Sequence, residues 1–175
     1  MIDAAGAGLP LALWRRRAQA GEDAWQRGIR DIAAEEGWLS HRSMSLVEAG
    51  GQPVAVLAAR ALPDPLPPVD PATLWPPLRP LFALDAKVPG AYYVSALAVA
   101  AGRRGRGLGS ALLALAAERG RAAGHGHLAL IVGSGNPAAR LYRRFGLEES
   151  ARAPALSAPD YRGPDRHFLL MEMAL

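Results

Sequence analysis

Cysteine is absent from the 175 residues. That excludes disulfides, thiolate metal sites and a cysteine nucleophile, and it suits a reducing compartment, so the cytoplasm is the expected location. Lysine is nearly absent too: Lys87 is the one lysine among the 20 basic residues. A P-loop, which needs Gly-Lys-Ser/Thr, is excluded because no glycine precedes that lysine and no Ser or Thr follows it. No apolar run approaches the length needed to span a bilayer, so no membrane partner is expected. The N-terminus shows no basic stretch followed by an apolar core, so no secretory segment is read there. Histidine is sparse, and His125 and His127 in "GHGH" are too few for a metal centre without other ligands, so no metal is assigned.

What is present is an ordinary globular composition, 50% hydrophobic and 21% charged, on a length that suits one domain over 1–175. The net charge is +4, and its placement says more than its size. Residues 1–100 hold 9 basic and 10 acidic residues, whereas residues 101–150 hold 8 and 3. The excess sits around "RRGRGLGSALLALA" (103–116), where three glycines and three arginines crowd a helix entrance. Glycine resists helix formation, but it lets a ligand approach the backbone closely. A helix start also offers unpaired N–H groups and the positive end of the dipole. The stretch therefore reads as a site for a phosphorylated ligand. A tight turn needing positive φ is the alternative, and one glycine would satisfy it. Taken singly, each arginine reads as solvated surface. A dinucleotide fingerprint fails, because Ser110 stands where G-x-G-x-x-G requires its third glycine and "HLALIV" supplies no acidic ribose partner.

Along the chain, 9–40 reads as two helices, with Gly21, Gly28 and Gly37 as interruptions and Glu22 and Asp23 near the start of the second. Two β-type runs over 42–62 flank Gly50-Gly51, a hairpin signal. Residues 63–80 hold 8 of the 15 prolines, so 63–89 is expected to be a Pro-rich connection within the domain, with one short turn near Leu74. "GAYYVSALAVA" (90–100) reads as a strand, and after the glycine turn Leu108, Ala111, Leu112, Leu115 and Ala116 recur at helical spacing up to a stop at Gly124. "HLALIV" (127–132) is a further strand. Asn136, Pro137 and Gly146 then punctuate a short helix, and strands are expected at 146–152 and 166–174. The order implies an α/β (α+β) fold, a mixed central sheet of about six strands flanked by about four helices.

At R-x-x-G-x-G, here Arg104-Gly105-Arg106-Gly107-Leu108-Gly109, the chain resembles the GNAT superfamily of acetyl-CoA-dependent N-acetyltransferases. The strand "YVSALAV" before this turn and "GNPAARLYRRFG" after the next strand resemble that family's elements as well, in family order. The resemblance implies a GNAT fold, acetyl-CoA as cosubstrate and an amine acceptor. It implies that backbone groups of Leu97 and Val99 bond the pantetheine arm, with the Val99 N–H donating to the thioester carbonyl. Backbone N–H groups of Arg104, Gly105, Arg106, Gly107, Leu108, Gly109 and Ser110 would hold the pyrophosphate. Asn136 would bond pantetheine or adjoining backbone, Tyr142 would protonate the leaving thiolate, and Arg143 would approach the 3′-phosphate. Without that context Tyr142 reads as an aromatic packed beside Leu141 and Phe145.

Three functions stay open: an N-acetyltransferase, a GNAT-fold acyl-CoA-binding module without turnover, and a nucleic-acid binder using the arginine patch. The third ranks last, since no aromatics interleave those arginines. Glu35, Glu36, His41, Asp85 and Ser95 are base candidates only by being titratable or polar. The acceptor pocket is expected from 9–40 and 63–89, which carry Trp14, Trp25, Trp38 and Trp75. Family members usually begin with a strand, and "MIDAAGAG" leaves no room for one. The hairpin is therefore expected to expose a sheet edge, giving a homodimer through it or poor solubility as a monomer.

Overall fold

Gly50 and Gly51 both adopt left-handed backbone, at φ 62 and 72, and so turn the chain between β1 (Met44–Ala49) and β2 (Gln52–Ala61). The computed structural model describes residues 1–175. Its six-stranded mixed sheet has the order β1-β2-β3-β4-β6-β5, completed by β3 (Tyr92–Val99), β4 (His127–Gly133), β5 (Glu148–Pro154) and β6 (His167–Ala174). No strand precedes β1 in the chain, and β1 is an edge strand, as expected. Six α-helices accompany the sheet: α1 (Ile2–Ala5), α2 (Leu9–Arg17), α3 (Ala24–Ala33), α4 (Arg79–Asp85), α5 (Leu108–Ala122) and α6 (Ala138–Phe145). The sequence pattern yields four of them; α1 and α4 are additional.

The chain folds as two compact units, one of residues 1–60 with 95–112 and one of residues 61–94 with 113–175. In the first, β1 and β2 pair antiparallel from Met44↔Ala58 to Ala49↔Gln52, with a bulge between Val47 and Glu48. Asp23 caps α3: its carboxylate accepts from the Trp25 and Gln26 N–H groups at 2.7 and 2.9 Å, and the Gln26 side chain accepts from Asp23 N at 2.9 Å. Asp3 similarly accepts from Leu11 N at 2.9 Å, within the first turn of α2. Trp14, Leu39 and Ala58 form the core, with Leu11, Ile32, Met44 and Ala96 packed on it. Gly28 does not interrupt α3. It lies inside the helix and is buried, and a Cβ there would stand 2.7 Å from the Trp14 ring. This glycine admits a tryptophan rather than ending a helix.

In the second unit β3 runs parallel to β4 (Tyr92↔Leu128 to Val94↔Leu130), and β6 lies antiparallel to both β4 and β5. Leu62, Leu84, Val88, Ala91, Tyr93, Ala129 and Leu170 form its core. Helix α4 lies within the Pro-rich connection. Pro80 sits in its first turn, where a missing N–H costs nothing, and Leu84 from its last turn is 1% exposed. Short 3-10 turns at Pro71–Thr73 and Pro76–Leu78 flank Leu74. Helix α5 buries Leu112, Leu113, Ala116 and Ala117, whereas Ala111 is exposed. The buried stripe is thus rotated from the one the spacing suggests. Every residue of "ALLALAA" is apolar, so the pattern cannot fix the phase; Gly120 does, because Tyr92 and Leu175 close over it. As expected, α5 stops before Gly124, at φ 81.

Candidate active site

The residues singled out in the sequence fall into two groups, each built locally. In the first unit, β3 ends at Val99, whose carbonyl accepts from Arg104 Nε at 3.1 Å. The next residue, Ala100, donates its N–H to Val54 O on β2 at 2.8 Å. The strand end carrying Leu97 and Val99 is thereby fixed on two sides. The Arg104 N–H bonds Ala101 O at 3.3 Å, so Arg104 serves the turn with both side chain and backbone. Gly105 and Gly107 take positive φ, 72 and 81, and nothing lies within 4 Å of where a Cβ would stand on either. Arg103, Arg106 and Ser110 are exposed.

The ladder of α5 begins with Ala111 N→Gly107 O at 3.0 Å. The N–H groups of Leu108, Gly109 and Ser110 therefore have no acceptor inside the helix. A positive helix end, open glycines and flanking guanidiniums make a turn whose chemistry fits a pyrophosphate.

In the second unit, Asn136 Oδ1 accepts from Ala138 N at 2.9 Å and so caps α6, while Gly146, at φ 109, closes the helix by donating to the Arg143 carbonyl at 3.1 Å. Tyr142 is 7% exposed, and Leu141 and Phe145 beside it are half-buried. Burial pushes the Tyr142 phenol up from 10.0 to about 12. Over the physiological range the hydroxyl is therefore a proton donor and never a phenolate base. Arg143 reaches Glu149 only at 4.0 Å, with 52% of its side chain exposed.

The raised pKa carries a stability prediction. The folded chain holds the phenol proton up to about pH 12, whereas an unfolded tyrosine releases it near 10, so the folded state binds more protons in that window. The contribution is complete below pH 10 and is lost as the pH rises, by about 2 kcal/mol at pH 11.5. Denaturant unfolding at about pH 9 and about pH 11.5 should show Tyr142→Phe losing less stability than the wild type by that increment. Equal losses would mean the hydroxyl is not desolvated.

The remaining candidates serve structure in part. Glu35 pairs with Arg42, and His41 Nδ1 lies 3.2 Å from Ala34 O. Ser95 Oγ is buried with no hydrogen-bond partner. His125 Nδ1 bonds Gly90 O at 2.7 Å, and no group of three or more His, Cys, Asp or Glu is placed to hold a metal ion. Of the tryptophans, Trp14 is core, with its ring 6.0 Å from Trp25. Trp38 lines a cavity of about 310 Å³ in the first unit together with Arg17, Arg27, Arg30 and Asp31. Trp75 stands 5.8 Å from the Tyr161 ring and donates to Asp160 Oδ1 at 3.2 Å. Sequence reasoning missed Asp165, which grips the turn between β4 and α6 through Gly135 N at 2.6 Å; no local pattern marks it.

A family model described as the acetyltransferase (GNAT) family matches residues 11–147. Among solved structures, a mutant agmatine N-acetyltransferase is 21% identical, with a TM-score of 0.64 over 95% of this chain and 87% of that one. A Drosophila melanogaster polyamine N-acetyltransferase gives the same values, 21%, 0.64, 95% and 87%. A mosquito arylalkylamine N-acetyltransferase-like protein is 18% identical, with a TM-score of 0.59 over 85% of this chain and 80% of that one. At these identities the likeness is one of fold. No curated protein matches the chain.

Proposed function

The chain belongs to the acetyltransferase (GNAT) family, and from that membership we propose that it moves an acetyl group from acetyl-CoA to a primary amine, with residues 1–175 as one catalytic domain. The observation that carries the reading is the 104–110 turn, where open glycines precede the unpaired N–H groups of α5. In this reading the backbone from Gly105 to Ser110 holds the pyrophosphate, with Arg104 bracing the turn. Leu97 and Val99 offer backbone groups to the pantetheine arm, and the Val99 N–H polarises the thioester carbonyl. Asn136 bonds the pantetheine or, as its Oδ1 does with Ala138 N, the adjoining backbone, and Arg143 serves the 3′-phosphate.

The amine nitrogen attacks the thioester carbon, an N–C bond forms and the C–S bond breaks. The amine gives up a proton to water. The departing sulfur takes one from Tyr142, which solvent then restores, leaving an amide and a free thiol. The likeness to an agmatine N-acetyltransferase and a polyamine N-acetyltransferase supports an amine as acceptor. A GNAT-fold module that binds acyl-CoA without turnover is the second reading; the place of Tyr142 in the "NPAARLY" match favours the enzyme.

Calorimetry with acetyl-CoA and with a duplex oligonucleotide tests the binding class: the cofactor should bind at one site and the duplex should not. A duplex bound more tightly than acetyl-CoA would overturn the assignment. No helix is long and apolar enough to cross a membrane. The exposed edge of β1, where Leu46 is 56% exposed, supports pairing of two copies through that strand. Light scattering should report a dimer, and a monodisperse monomer at assay concentration would remove that pairing.

A further inference from the structure

The stretch "GSGN" (133–136) carries β4 into α6, and its two glycines have no part in the cofactor chemistry above. The structure shows what they serve. Each N–H of the turn is taken: Ser134 N donates to His167 O at 2.9 Å, Gly135 N to Asp165 Oδ1 at 2.6 Å, and Asn136 N to Gly133 O at 3.0 Å. Two of these three acceptors come from the segment entering β6. Only one of the three is a side chain, the Asp165 carboxylate. That carboxylate lies directly against the Cα of Gly133, so a Cβ there would collide with it, and a Cβ on Gly135 would stand 3.1 Å from its Oδ1. Both glycines thus clear the space that Asp165 fills. The turn in turn sets α6, because Asn136 caps the helix through Ala138 N at 2.9 Å and Tyr142 follows on the same helix.

We propose that Asp165 is a positioning residue for acetyl transfer: its carboxylate fixes the β4–α6 turn, and through it the entry of α6 and the placement of the Tyr142 hydroxyl. Asp165 touches no reacting atom in this account. A charge-assisted bond to a backbone N–H at 2.6 Å is short, and Asp165 is the one side chain among the acceptors of the three N–H groups named above. A displacement of the order of an ångström at a reacting group is enough to cost about a hundredfold in rate. The proposal rests on the reading of Tyr142 as the acid, and the test separates the two.

Asp165→Ala removes the acceptor, whereas Asp165→Asn keeps an amide oxygen where Oδ1 stands. The alanine variant should lower kcat about ten- to a hundredfold with little change in the KM for acetyl-CoA. The asparagine variant should recover most of that loss. In a Tyr142→Phe background, Asp165→Ala should cost little more, since both changes disable the same proton donor. A second readout needs no turnover: the spectroscopic titration of Tyr142, taken as the difference from Tyr142→Phe, should move from about 12 towards 10 in Asp165→Ala and stay in Asp165→Asn. Wild-type kcat in the alanine variant, an undiminished loss on top of Tyr142→Phe, or an unmoved phenol titration would each overturn the proposal. If the wild type turns over no amine, the reading of the function fails, and the titration still decides whether Asp165 holds α6.

Discussion

Gly107→Glu should abolish acetyl-CoA binding while the chain stays folded. Gly107 sits at φ 81, with nothing within 4 Å of a Cβ built on it, so the first atom of a side chain meets no protein atom. The folding penalty is then the left-handed backbone alone, about 1–2 kcal/mol. The binding penalty is far larger. The carboxylate stands at the positive end of α5, where its side chain covers the open backbone and its charge opposes the phosphates. Gly107→Asn separates these effects, because asparagine tolerates the same backbone and adds no charge; it should retain much of the affinity. Calorimetry on both variants, with thermal melts to confirm folding, decides the matter. A folded Gly107→Glu protein with wild-type affinity would move the cofactor away from this turn.

Tyr142→Phe should leave the cofactor affinity nearly unchanged and lower turnover about 10²–10⁴-fold, the range that general acid catalysis supplies. The substitution removes one oxygen from a ring that is 7% exposed, so the packing of α6 survives. What disappears is the proton for the departing sulfur. A phenol near 12 is a weaker acid than a thiol, so its proton moves as the C–S bond breaks and not before. Single-turnover measurements, in which chemistry limits the rate, should carry the whole effect. Unchanged single-turnover rates in Tyr142→Phe would take this residue out of the mechanism.

Much of this molecule is legible from local chemistry. Gly50-Gly51 marks the hairpin because only glycine takes two successive left-handed residues at no cost. Asn136, Pro137 and Gly146 bracket α6 because helix ends need an acceptor, a preset φ and a left-handed exit. The turn ahead of α5 is readable because Gly105 and Gly107 take left-handed backbone, which glycine adopts at no steric cost.

The rest depends on partners distant in sequence. Proline density hides α4, because the same residue that breaks a helix interior is welcome in its first turn, where Pro80 stands. Gly28 looks like a breaker until Trp14 is seen against it. Asp165 carries no sequence signal at all, since its role exists only once β6 brings it to the glycines of the β4–α6 turn.

The most direct test of the central claim is thiol release from acetyl-CoA by the purified protein across a panel of primary amines, with the product identified by mass. The account predicts release that depends on both protein and amine, an acceptor carrying one added acetyl group, and loss of the signal in Gly107→Glu. Acetyl-CoA bound at one site with no thiol released for any amine would contradict it, and would leave an acyl-CoA-binding module in its place.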